Sequence, residues 1–189
     1  AAKFLNSNVC FIGGWQGQIL KTIDGGASWS SKSSGVNTGI HSFFFFNDSL
    51  GFACGENGVI LKTFDAGNSW SALNSGINLP LIDIFFPTLD TGYVVGTYGT
   101  ILKTFNGGST WIAQNSNMGT DLWSILMLNS SIGYVVGQNN SILKTTDGGQ
   151  NWNFLNLGLG TGHAFKKIVL SSDSTIYICG DIVAKTNIS

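Results

Sequence analysis

Four stretches of the chain hold the residue types from which sites are built: TIDGGASW from Thr22, TFDAGNSW from Thr63, TFNGGSTW from Thr104 and TTDGGQNW from Thr145. Each offers a hydroxyl, a carboxylate or its amide, small residues that let a backbone approach a ligand, and an indole. One such stretch alone would pass for a loop that binds Ca²⁺ or orients a substrate. Four of them in register do not. Trp29, Trp70, Trp111 and Trp152 are 41 residues apart, and ILKT recurs upstream from Ile19, Ile60, Ile101 and Ile142, decaying to VAKT from Val183. A regular period of about 40 residues marks a repeat architecture, and a site for one reaction is rarely built four times. Asn106 also stands where Asp24, Asp65 and Asp147 stand, so charge is dispensable there. The motif is architecture.

The remaining chemistry-bearing residues share no spacing. A sialidase-like site needs arginines to hold a substrate carboxylate, and the chain has none; all nine basic residues are Lys. A glycosidase needs two carboxylates flanking a bond. Glu56 is the only Glu, Asp83, Asp121 and Asp181 are the loop-borne Asp candidates, and nothing pairs them. His41 and His163 lack a Cys or carboxylate at ligand spacing, so no metal is expected, and no motif asks for a cofactor. Cys10, Cys54 and Cys179 are odd in number and suit buried thiols, Cys54 and Cys179 taking a slot that Val95 and Val136 fill elsewhere. These absences read as a protein that is not an enzyme.

Charge and hydropathy exclude two partners. Charged residues make up 10% of the chain and the net charge is −1, which gives no electrostatic grip on nucleic acid. No apolar run approaches the ~20 residues that span a bilayer; the longest is FFFF at 43–46, so no membrane insertion is expected. The first residues, AAKFL, do not read as a secretory leader. Few charges with abundant Asn, Ser and Gly suit a bacterial extracellular or cell-surface protein.

The elements that position all this follow from one period. IHSFFFF, GFACG, VILKTF and WSALNS read as four strands separated by the turns NDSL, ENG and DAGNS. Four short antiparallel strands per repeat make a β-propeller blade, and 26 glycines with 2 prolines suit an all-β chain. The expected blades are 1–36, 37–76, 77–117, 118–160 and 161–189, forming one domain. The last is incomplete, with Ile188 where its carboxylate should be; the alternative is a fragment of a larger propeller. In the turn, the second glycine (Gly26, Gly67, Gly108, Gly149) never varies while the first becomes Ala66. Only the second is then expected to need a backbone angle closed to other residues. The Asp or Asn should accept from backbone N–H groups two residues on, and the tryptophans should wedge between blades. Lys21, Lys62, Lys103, Lys144 and Lys185 read as a solvated ladder.

The pattern S/T-x-D-x-G-x-S/T-W is the Asp-box of bacterial neuraminidase repeats. The longer runs GWQGQILKTIDGGASW, GENGVILKTFDAGNSW and GTYGTILKTFNGGSTW, with GQNNSILKTTDGGQNW behind them, resemble the repeat of photosystem II stability/assembly factor-like propellers. The resemblance covers nearly the whole chain and implies the propeller fold. It also implies an arginine-rich basic surface, from which this chain departs.

Where repeats disagree on an exposed loop, the fold is indifferent and function can speak. The loops between second and third strands and the leads into the first strands lie on one face, opposite the Asp-boxes. There the repeats differ, and Trp15, Glu56, Tyr98, Asp121, Trp123 and Asn139 are the candidate ligand or partner contacts. An aromatic platform beside polar groups suits a peptide or a glycan. The expected function is a non-catalytic protein–protein interaction or assembly scaffold. A carbohydrate-binding lectin is the alternative, and a glycoside hydrolase stands behind both. A lectin with one pocket per blade would repeat its ligand residues, and these do not repeat. The strand at 181–187 is expected to leave an open edge that pairs with further sequence or with a neighbouring subunit.

Overall fold

The computed structural model describes residues 1–171 and 175–187. Within them the chain forms five antiparallel sheets. The first contains β1 (Ala2–Phe4), β2 (Cys10–Gly13), β3 (Gln18–Thr22) and β4 (Ser30–Ser33). The second contains β5 (Ile40–Phe45), β6 (Gly51–Gly55), β7 (Ile60–Thr63) and β8 (Ser71–Leu73). The third contains β9 (Leu81–Phe85), β10 (Gly92–Gly96), β11 (Ile101–Thr104) and β12 (Ile112–Gln114). The fourth contains β13 (Leu122–Met127), β14 (Gly133–Gly137), β15 (Ile142–Thr145) and β16 (Asn153–Phe154). The fifth has three strands, β17 (Phe165–Leu170), β18 (Thr175–Gly180) and β19 (Val183–Asn187). Every sheet is a meander in chain order, and the first strands pack side by side. This is a β-propeller. Among the described residues no helix is long and apolar enough to cross a membrane.

Blades meet through one repeated joint. Phe11 and Ile19 of the first blade meet Ile40, Phe43, Ala53, Leu61 and Trp70 of the second. Phe52, Cys54 and Ile60 then meet Leu81, Ile84, Val94 and Leu102, with Trp111 against them. Tyr93, Val95 and Ile101 meet Leu122, Ile125, Val135, Leu143 and Trp152. Tyr134, Val136 and Ile142 meet Phe165, Ile168, Ile178 and Ala184. Middle strands such as β6, β10 and β14 are buried on both faces, which is why they read as unbroken apolar runs. Burial raises the Cys54 thiol well above its usual range, as an inert core thiol requires.

The Asp-box tryptophans serve these joints, with one correction. Trp70 and Trp152 are buried and Trp111 is half-buried. Trp70 meets the Phe11 ring edge-on at 6.4 Å, and Trp152 meets Tyr93 in the same way. Trp29, expected to wedge likewise, is 40% exposed. It belongs to the first blade, and no earlier blade lies among the described residues for it to meet. The indole N–H groups of Trp70, Trp111 and Trp152 have no hydrogen-bond partner, so these rings serve by volume and not by their polar edge.

The turn itself corrects two expectations. Asp24 Oδ1 accepts from the Thr22 hydroxyl at 2.7 Å and from the Ser28 N–H at 2.9 Å. The backbone contact thus reaches four residues on, where two were expected. Asp65 and Asp147 repeat it, and Asn106 matches it, its Nδ2 donating to the Thr110 hydroxyl where the others accept. Both small positions are left-handed: Ala66 has φ 61 and Gly67 φ 70. Gly67 is fixed by a neighbour, since a Cβ there would lie 2.4 Å from Phe11 of the preceding blade. At Gly108 and Gly149 the same atom would approach Phe52 and Tyr93 at 3.2 and 3.1 Å. Gly26, with no preceding blade among the described residues, meets only its own Trp29.

The lysine ladder is not solvated. Lys21 and Lys103 are buried, and Lys62 and Lys144 are half-buried. Lys21 Nζ donates to the Ala66 carbonyl at 2.7 Å, Lys62 to Gly107 at 2.8 Å and Lys103 to Gly148 at 2.5 Å. Each bond crosses to the next blade's Asp-box turn. The ammonium groups also lie 5.1–5.5 Å from the rings of Phe11, Phe52, Tyr93 and Tyr134. Burial lowers the pKa of Lys21, Lys62 and Lys103. These are clasps between blades. Lys185 is exposed, and Ile188 lies outside the described residues.

Candidate functional site

On the face opposite the Asp-boxes, the loop between second and third strands in each of the first four blades enters a left-handed pair. Gln16, Asn57, Tyr98 and Asn139 hold φ values of 57, 57, 54 and 51, followed by Gly17, Gly58, Gly99 and Asn140. The geometry is needed because the second N–H docks onto the lead of the next blade. Gly17, Gly58, Gly99 and Asn140 donate to the carbonyls of Thr38, Leu79, Thr120 and His163. A Cβ at Gly58 would meet the Ile77 carbonyl at 2.1 Å. Asn140 occupies the equivalent place and adds side-chain bonds to Gly160 and His163.

The loop residues singled out in the sequence fall into three groups. Trp15 and Tyr98 stand out from the loops, 74% and 71% exposed, and Asn139 is exposed at the corresponding loop of the fourth blade. Glu56 and Asp121 are engaged. Glu56 Oε1 lies 3.1 Å from His41 Nε2, and Asp121 Oδ1 accepts the Tyr98 N–H at 3.1 Å. Trp123 belongs to neither group: it is half-buried and lines the central channel. Trp15 edges a separate shallow depression with Gln16, Gln18, Ser31, Ser34 and Asn37. The structure therefore does not unite the six in one pocket.

The channel adds what the sequence did not disclose. It measures about 630 Å³, is open on one side, and runs along all five first strands, from Lys3 on β1 to Lys166 and Lys167 on β17. Asp83, read from the sequence as a loop carboxylate, is buried in its wall. Its oxygens accept from Ser42 Oγ at 2.7 Å, Ser124 Oγ at 2.9 Å and the N–H groups of Ile84 and Ile125. Lys167 Nζ completes the set at 3.1 Å. One carboxylate thus ties four blades together. The available signal was the recurrence of Ser42, Asp83 and Ser124 at 41-residue spacing, opposite Cys54, Val95 and Val136 in register. Among the described residues no cluster of His, Cys, Asp and Glu could hold a metal ion.

The sequence profile of the photosynthesis system II assembly factor YCF48 family matches residues 2–80 and 63–168. The chain belongs to this family. No curated protein matches it by sequence. Among solved structures, YCF48 from Cyanidioschyzon merolae superposes with a TM-score of 0.75 at 16% identity, over 99% of this chain and 66% of that one. An ancestral GH74 enzyme gives 0.74 at 19% identity, over 94% of this chain and 27% of its own length. A structure of YCF48 bound to D1 peptide gives 0.52 at 14%, over 100% and 91%. At these identities the likeness is one of fold. The chain spans 66% of the first structure and about a quarter of the second, and its five blades fit as an arc of a larger propeller.

Proposed function

We propose that the chain is a non-catalytic scaffold that holds a peptide segment of a protein partner on its loop face. Tyr98 carries this reading. The fold asks for a left-handed residue there, which Asn57 and Asn139 supply readily and which costs a tyrosine about 1–2 kcal/mol. Yet the ring is 71% exposed and covers no core, while Asp121 holds its loop in place. Strain that serves no packing points to a contact with something else. Membership of an assembly-factor family supports the reading, as does the complex of YCF48 with a D1 peptide. The absence of catalysis is supported by the engagement of the carboxylates: Glu56 with His41, Asp121 with Tyr98, Asp83 with Lys167, and Asp181 with the Ala164 N–H.

A tiled peptide array probed with the purified chain tests this. Peptides should bind above their scrambled counterparts, and the Trp15→Ala/Tyr98→Ala variant should lose most of that signal while unfolding normally. Equal binding of scrambled peptides would reject the reading. A glycan-binding alternative keeps one observation, the depression beside Trp15 lined by Gln16, Gln18 and serines; titration with a panel of neutral oligosaccharides, with product analysis, checks binding and hydrolysis together. Location outside the cytoplasm is part of the proposal, supported by the 10% charge content and checked by fractionation. Self-association through the open end at β19 is its remaining part.

A further inference from the structure

We propose that the central channel receives an acidic stretch of the bound peptide, drawn in by Lys166 and Lys3. This rests on the peptide-binding reading and adds the chemistry of what is bound. The channel concentrates charge that the rest of the chain lacks. Three of the nine lysines, Lys3, Lys166 and Lys167, line it against a single carboxylate, Asp83, in a chain of net charge −1. Lys167 is already committed to Asp83, whose two oxygens are fully taken up by the wall. Lys166 and Lys3 border the channel with no hydrogen-bond or ion-pair partner among the described residues, so their charges stand beside it unopposed. A channel with low-dielectric walls focuses such charge.

The placement is graded. Lys166 precedes Lys167 at the loop-face end, beside Trp123 and His41. Lys3 pairs with Phe11 as Phe44 pairs with Phe52 and Leu126 with Tyr134, which puts it about three residues deeper. At ~3.3 Å per residue this is roughly 10 Å of depth, the reach of about three residues of extended peptide. The wall at the depth of Lys3 is apolar, with Phe44, Phe85, Leu126 and Val169, while Ser42, Asp83, Ser124 and Lys167 form a polar layer between the two free charges. The volume of about 630 Å³ lies within the ~300–1,000 Å³ of ordinary ligand sites. The occupant that matches is an extended segment alternating carboxylates with aliphatic side chains.

Fluorescence anisotropy with an end-blocked, fluorescein-labelled octapeptide of alternating Asp and Leu provides the test, with its Asn-for-Asp counterpart as control. The acidic peptide should bind more tightly than the control, and increasingly so as salt is lowered. Lys3→Glu/Lys166→Glu should weaken it about tenfold, the scale of two exposed ion pairs turned repulsive. Lys3→Gln/Lys166→Gln should weaken it less, and serves if the reversal disturbs folding. Equal binding of both peptides, or unchanged affinity in both lysine variants, overturns the proposal. So does binding by neither, while the array and the Trp15/Tyr98 variant decide the broader reading separately.

Discussion

Ala66 and Gly67 share a left-handed backbone, at φ 61 and 70, and differ in what lies beside them. At Gly67 a methyl would press on Phe11, whereas Ala66 already carries one without conflict. Ala66→Gly should therefore stabilise by about 0.5–1 kcal/mol in urea unfolding, by removing a strained alanine. Gly67→Ala should destabilise by about 2–3 kcal/mol, adding overpacking to the same strain. Asp65 makes a different point. The Ser69 hydroxyl, then the Ser69 N–H and the Thr63 hydroxyl, hold its carboxyl at about 2 against an ordinary 3.8. A depressed folded pKa contributes stability above about pH 4 that fades as the pH falls through 2. Asp65→Asn keeps the bonds that Asn106 already makes, so it should be near neutral at pH 7 and flatten the loss of melting temperature between pH 4 and 2. An equally steep acid loss in the variant would count against the hydrogen bonds as its source.

At the scale of the element, the Asp-box turn and the preceding lysine work as one device spanning two blades. Lys103 donates to the Gly148 carbonyl, which also accepts from the Tyr93 hydroxyl, while burial pushes that hydroxyl up to about 12. Lys103→Met keeps the apolar stem and removes the bond, and should cost about 1–2 kcal/mol in chemical denaturation; Lys185→Met, at an exposed position, should change stability by less than about 0.5 kcal/mol. Equal effects would return the lysines to the solvated ladder that the sequence suggested. The reading failed there for a physical reason. Strands, turns and tryptophans declare themselves by local period, so ILKT and GGxxW were legible. The acceptor of Lys103 lies 45 residues on in another blade, and nothing local in an exposed-looking Lys says that its ammonium crosses a joint. Trp29 misled conversely, since its sequence equals its counterparts' while its neighbour differs. At the candidate site, Trp15 and Tyr98 were legible as departures from the repeat. The Asp83 hub was not, because Ser and Asp in register signify nothing until the first strands are seen to converge.

At the scale of the whole, the described residues form an arc with two unmatched faces. Val183 occupies the place of Ile19, Ile60, Ile101 and Ile142, as register with Cys179 requires, yet it is 69% exposed while those four are buried. At the other end, Ile12 and Trp29 stand open where Ala53 and Trp70 are covered. The two faces are the halves of one joint, so the following face of one copy suits the preceding face of another, and such contacts are head-to-tail. The isolated chain should then associate as its concentration rises in sedimentation velocity. Val183→Lys should abolish that association and leave the stability of the dilute monomer within about 0.5 kcal/mol. Ile60→Lys places the same charge inside a closed joint, where an unpaired buried ammonium costs several kcal/mol, and should prevent folding. If Val183→Lys unfolded the dilute chain as Ile60→Lys does, β19 would be covered in the monomer and the arc would be closed.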